Sequence, residues 1–291
     1  MSTGIPRWMP LCAVLLGGCG LFTRSPDNPT SAGKIPAITQ APDTICLDIA
    51  FVERPAGDRL LGRDLWDNID ETGALDEPDR RVIREAGFRL GVVGSQPPPA
   101  LEKMLGLTAD FAAAPMAEQA KKLVGRQAML RDGGKTEIQL GPAWPHCEVP
   151  ARPVNGQSGS RKLEKARCVY QVTARRLEDG WVKLEFMPQV RHGVPQPVFT
   201  PGDGSWQFNY AQGVEEFPQQ AFHLTLSLGE MAVLSAEDLT EGSTDNTKIS
   251  SLGKLFFLGP EPRPTVQRLL VIRLANMGLT DDPYKEKSSD P

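Results

Sequence analysis

The sequence predicts an α+β protein: a small N-terminal α/β unit followed by a mainly antiparallel β domain. Three observations predict it. Between residues 44 and 125, β-rich runs alternate with apolar stripes at helical spacing. From 126 to 277, glycine turns separate runs that alternate with a period of two, and no strong helical pattern intervenes. The chain has 291 residues, 40 % hydrophobic and 23 % charged, so it is long enough to bury a core and ordinary in composition. Its net charge of -4 carries no basic footprint, which argues against a nucleic-acid partner.

In chain order, Ile45 to Val52 is a β-rich run suited to a central strand. Leu61, Leu65, Trp66 and Ile69 then recur at helical spacing. A helix is expected from Asp76, with Pro78 in its first turn and Gly87 as its stop. Phe88 to Val93 reads as a strand, and Pro98 to Leu105 as a helix ended by Gly106. Pro115 to Val124 reads as a further helix. In the β part, 128–131 and 135–140 flank Gly133-Gly134 and predict a hairpin, since glycine tolerates the positive φ of a tight turn. A Pro- and Gly-rich loop is expected over 141–160. Cys168 to Arg176 and Trp181 to Val190 predict a second hairpin across Leu177 to Gly180. Phe222 to Leu228, Met231 to Leu234 and Arg268 to Ala275 complete the strands. Residues 278–291 read as a polar tail, without structure of its own.

The N-terminus speaks of location. Arg7 precedes a short apolar run, Leu11 to Leu16, which ends in Leu16-Gly17-Gly18-Cys19. This resembles a bacterial lipoprotein signal peptide covering 1–18. The resemblance implies cleavage before Cys19 and lipidation of its thiol. Gly20 in place of aspartate implies the outer membrane, with the protein lipid-anchored and facing the periplasm. Two or three acyl chains suffice for firm anchoring, whereas one is marginal. The apolar run is too short to span a bilayer, which takes roughly 20 residues. Residues 19–43 read as a flexible tether.

Export would place the remaining cysteines in an oxidising compartment. Cys46 lies in an apolar run and reads as core. Three cysteines allow three pairings, and the strand-edge positions of Cys147 and Cys168 favour a disulfide between them; three buried thiols are the alternative. No catalytic, cofactor or metal motif is present: there is no G-x-x-x-x-G-K, H-E-x-x-H, G-x-S-x-G or C-x-x-C. His146, His192 and His223 have no metal-ligand or triad spacing. His223 falls on the polar face of its strand, and Arg191-His192-Gly193 and Gly202 to Ser205 read as turns. Glu215-Glu216 and Asp281-Asp282 read as solvated acids. A non-enzymatic protein is expected, with no cofactor and no metal.

Four segments in the β half carry a second resemblance. These are Tyr170 to Val190 with its Asp179-Gly180 turn, Phe222 to Leu234 with its Gly229-Glu230 turn, Ser251-Leu252-Gly253-Lys254-Leu255-Phe256, and Arg268 to Leu274. In this order they are similar to the C-terminal β domain of secretins, the ring-forming outer-membrane channels of secretion systems and type IV pili. The family's L-G-x-L-F segment matches 252–256; its Thr-Pro after the last strand is missing. The resemblance implies a structural or interaction component of an outer-membrane or secretion assembly, with envelope or secretion-system proteins as partners. The apolar runs are short against the roughly 9–11 residues of a membrane strand, so a soluble β core is expected rather than a shared barrel. The alternatives are a monomeric periplasm-facing lipoprotein that binds protein or polysaccharide through a sheet edge or 141–160, and a hydrolase with an unrecognised site. Oligomeric state is left open.

Overall fold

A computed structural model describes residues 44–107, 123–154, 157–201, 206–237, 251–258 and 266–278. All lie within the unit Gln40–Pro291. Residues 1–43, where the signal peptide, Cys19 and the tether are expected, Gly202 to Ser205, and residues 279–291 of the expected tail fall outside the described residues.

Two antiparallel sheets dominate. The first has the order β2 (Phe88–Val93), β9 (Met231–Ala236), β10 (Val266–Met277), β1 (Ile45–Pro55) and β3 (Leu123–Leu130). The second runs β4 (Lys135–Val154), β5 (Gln157–Arg176), β6 (Val182–Pro201) and β7 (Trp206–Glu216), with β8 (Phe222–Leu226) also paired to β6. The expected division into 44–125 and 126–277 does not divide the sheets. β1 lies between β10 and β3, and β2 pairs with β9, so both segments build the first sheet.

The first sheet is covered on both faces, which is why its central strands read as continuous apolar runs instead of alternating. Every residue of β9 is buried. On one face, α1 (Arg63–Trp66) and α3 (Pro99–Met104) bring Leu65, Trp66, Leu101 and Met104 onto Val52, Val233, Leu269 and Val271. The other face meets the second sheet through the main core. There the short helix α4 (Leu252–Phe257) contributes Phe256 and Phe257, which pack with Phe88 and Tyr170. Tyr170 and Phe256 ring centres are 5.2 Å apart, and Phe186 stacks on Phe222 at 4.8 Å. Such aromatic pairs add about 0.5–1.5 kcal/mol beyond the area they bury.

α4 was not expected within the β part, although its sequence is the segment quoted for the secretin resemblance. Ser251 caps it by accepting from Lys254 N–H. Gly253 is required by close approach: a Cβ there would lie 1.7 Å from the Gly87 carbonyl oxygen. Gly87 in turn ends α2 (Glu77–Glu85) at φ +83°, as its sequence position predicts. The Gly253 N–H donates to Ala86 O at 2.9 Å, so the two segments dock backbone to backbone.

Two glycine turns join strands of different sheets. Gly133-Gly134 does not close a β3–β4 hairpin, because β3 pairs with β1 and β4 with β5. Ala174 of β5 receives the turn instead, exchanging hydrogen bonds with Gly133 and Gly134. Gly229-Glu230 likewise separates β8 from β9, and Leu274 of β10 exchanges hydrogen bonds with both turn residues. The Leu177–Gly180 turn does close the expected β5–β6 hairpin, through a 3-10 turn at Glu178–Gly180. The helix expected over 115–124 lies largely outside the described residues, and Leu123 and Val124 begin β3.

The loop expected over 141–160 is corrected by the structure. β4 and β5 are each 20 residues long and pair almost to their tips. Pro142, Pro145, Pro150 and Pro153 give the segment the composition of a loop. A proline is tolerated where a strand's N–H faces solvent, and β4 is an edge strand.

Candidate functional site

Both long hairpins of the second sheet continue beyond it as two-stranded ribbons. At about 3.3 Å per residue, a 20-residue strand reaches roughly 66 Å, far beyond the usual 3–10 residues. Each ribbon leaves the sheet at a bulge with a positive-φ glycine, Gly141 (φ +70°) in β4 and Gly193 (φ +79°) in β6.

The β4–β5 ribbon folds over α4. Trp144, Val149, Leu163 and Ala166 are buried, and the Trp144 indole N–H donates to Leu255 O at 3.1 Å. Gly141 sits on the Arg268 guanidinium, which also donates to Glu53 at 2.7 Å and to Leu258 O at 3.1 Å. The β6–β7 ribbon is uncovered. Trp206 is 71 % exposed, Tyr210 69 % and Phe199 63 %. The pairing Phe199–Phe208, Pro197–Tyr210 and Pro201–Trp206 places these residues on one face. Phe199 and Phe208 ring centres are 5.3 Å apart, and Phe208 meets Tyr210 edge-on at 5.2 Å. This aromatic face is the largest feature that reading the sequence missed. Its signal was present as Trp206-x-Phe208-x-Tyr210, an alternation that the neighbouring prolines and glycines obscured.

A second concavity of about 610 Å³ opens beside the β8–β9 turn, lined by Asp70, Asp76, Trp181, His223, Thr225 and Glu230. Two of its carboxylates, Asp70 and Glu230, serve local turns. Asp70 accepts from Gly73 N–H at 2.8 Å and from both Thr72 N–H and its hydroxyl, which holds its carboxyl below the usual range. Glu230 accepts from Ser227 N–H at 2.8 Å.

The other candidate residues are dispersed. His146 is exposed and 4.0 Å from Glu164, His192 packs over Gly213, and His223 is exposed on β8. Glu215 pairs with Arg161 at 2.8 Å, and Glu216 accepts from Gln189 at 3.1 Å. The expected disulfide is not formed: Cys46, Cys147 and Cys168 are free. Register explains it. Cys147 is opposite Leu163 and Cys168 opposite Leu140, so the two are not a cross-strand pair. Burial pushes the Cys147 thiol up to about 11, and the wholly buried Cys168 well above its ordinary value. Both are held protonated, and a protonated thiol is not a nucleophile.

Among the described residues, no group of His, Cys, Asp and Glu is arranged to hold a metal ion, and no helix is long and apolar enough to cross a membrane. No protein-family model, curated protein or solved structure matches the chain.

Proposed function

We propose that this is a lipid-anchored, non-enzymatic protein of the outer membrane, facing the periplasm, whose secretin-like β domain is a structural or interaction component of an envelope assembly. The uncovered aromatic face of the β6–β7 ribbon carries the reading. An apolar face of this kind is uncommon on a protein that works alone, and it marks a contact surface. Leu16 to Cys19 supports the address, and the order of segments from Tyr170 to Leu274 supports the secretin-like character.

Cell fractionation tests the anchor. The native chain is expected in the outer-membrane fraction, with a mass that exceeds residues 19–291 by its acyl chains, an increment that Cys19→Ser loses. A native chain whose Cys19 carries no acyl group would overturn lipid anchoring at this residue. Native mass measurement in detergent tests the assembly. Species larger than one chain are expected, and a monomer throughout would remove the assembly from the proposal.

A further inference from the structure

Arg167 of β5 and Arg191 of β6 are directly opposed across the ladder. Opposed like charges destabilise a sheet, so this pair calls for a counter-charge. With Arg126 of β3 they line a cleft of about 390 Å³, which also includes Phe51, Glu137 and Gln212. Glu137 is its one carboxylate. It is already engaged, its side chain by Arg191 and its carbonyl oxygen by Arg126. Arg167 has no carboxylate partner among the described residues, and Arg191 Nε is buried without a hydrogen-bond partner. Three guanidiniums thus face one carboxylate in a chain whose net charge is -4. Planar guanidinium forks match the paired oxygens of phosphate better than any other side chain does.

The same face continues into the aromatic ribbon. Arg191 pairs with Val214 of β7, and alternate residues from there are Gln212, Tyr210, Phe208 and Trp206. Between Gly193 and Val214 the only charged residue in the sequence is Asp203. One surface therefore presents phosphate-matching donors and then an uncharged Trp-Tyr-Phe blade. These are the two chemistries that meet in a lipid headgroup layer, where phosphates lie beside the interfacial zone in which Trp and Tyr concentrate. A free anion would account for the cleft alone, whereas a lipid surface takes up both the cleft and the ribbon's contact face.

We propose that this face docks on a bilayer containing anionic phospholipid. Lipid phosphates occupy the Arg126–Arg167–Arg191 cleft, and Phe199, Trp206, Phe208 and Tyr210 enter the interfacial layer. The ribbon lies in the interface and does not span it, because a lone hairpin would leave its edge N–H and C=O groups unsatisfied in hydrocarbon. The inference rests on the envelope reading only in placing the protein beside a membrane.

The test uses residues 19–291 carrying Cys19→Ser, so that neither acyl chains nor the Leu11 to Leu16 run and Trp8 contribute. Binding is measured by flotation with phosphatidylglycerol–phosphatidylethanolamine vesicles and with phosphatidylcholine vesicles. Brominated acyl chains report tryptophan depth. Strong preference for the anionic vesicles is expected, with quenching that Trp206→Phe abolishes. Arg167→Gln is expected to weaken binding about fivefold, the effect of the roughly 1 kcal/mol that one basic side chain gains at an anionic surface. Unchanged circular dichroism and melting show that both variants remain folded. Equal binding to both vesicles, an unaffected Arg167→Gln, or quenching that survives Trp206→Phe would each overturn the proposal. Displacement by inorganic phosphate at matched ionic strength would reassign the cleft to a free anion and overturn the lipid docking. Failure on vesicles leaves the fractionation result for Cys19 untouched, so the two proposals fail separately.

Discussion

The two ribbons of the second sheet are built alike and end differently. Each is a long hairpin that leaves the sheet at a bulge with a glycine in the left-handed region, Gly141 in one and Gly193 in the other. Each carries a tryptophan. Trp144 is 3 % exposed and Trp206 71 %. The difference lies in what the rest of the fold offers. The β4–β5 ribbon finds α4, with a carbonyl free to accept from Trp144 and the aliphatic surface of Leu255, and Arg268 holds its root. Among the described residues the β6–β7 ribbon finds no second layer, and a Cβ on Gly193 would have no neighbour within 4 Å. A ribbon with an apolar face is thus a core element where a second layer exists, and a contact surface where none does.

That contrast breaks most visibly at the tryptophans. Trp144→Ala is expected to cost about 3–5 kcal/mol, through loss of a buried aromatic and the cavity it leaves, measured by urea unfolding. A cost below about 1 kcal/mol would mean the first ribbon is not clamped on α4. Arg268→Ala removes the ion pair to Glu53 and the bond to Leu258 O at the same root. It is expected to cost about 2–3 kcal/mol by the same measurement, with Arg268→Lys recovering only part.

The bulge glycines sharpen the comparison. Gly141→Ala and Gly193→Ala both force alanine into the left-handed region, at about 1–2 kcal/mol each. At Gly141 the methyl would also lie 2.7 Å from Arg268 Nη1, so this variant is expected to be the less stable of the two. Equal urea midpoints would show that the Arg268 contact does not hold the root.

The covered ribbon also carries a pH signature. Folding holds the Cys147 thiol at about 11, against an ordinary value of 9.0 in an unfolded chain. Between these values the unfolded chain has lost its proton and the folded one keeps it, so stability falls as pH rises through this window. Cys147→Ala is expected to flatten the decline by about 1–2 kcal/mol between pH 9.0 and 11. An identical slope in wild type and variant would count against burial of this thiol. The smallest effect belongs to the open ribbon: Trp206→Ala is expected to change stability by no more than about 0.5 kcal/mol. A loss near that of Trp144→Ala would mean that the β6–β7 ribbon is covered within the chain after all.

Local chemistry made many elements legible. β1, α2, β2, α3, the β5–β6 hairpin, β8 and β10 lie where alternation, helical stripes and glycine stops place them. What was misread depended on distant partners. Gly133-Gly134 has the chemistry of a hairpin turn, and only Ala174, forty residues on, makes it a passage between sheets. The 141–160 segment has loop composition, and the apolar surface of α4 makes it a strand pair. Cys147 and Cys168 sit at plausible spacing for a disulfide until register sets them apart. The arginine cleft was illegible for the same reason, since Arg126, Arg167 and Arg191 come together only through the pairing of three strands across two sheets.

The sequence by itself determined the β-rich character, the positions of most strands and helices, and the Leu16 to Cys19 motif that motivates an envelope address. These rest on side-chain periodicity and local backbone preference, which act over a few residues. Tertiary structure alone decided which strands share a sheet, which ribbon is buried, and which charges meet. Those outcomes depend on register, and a one-residue slip turns every side chain of a strand to the opposite face.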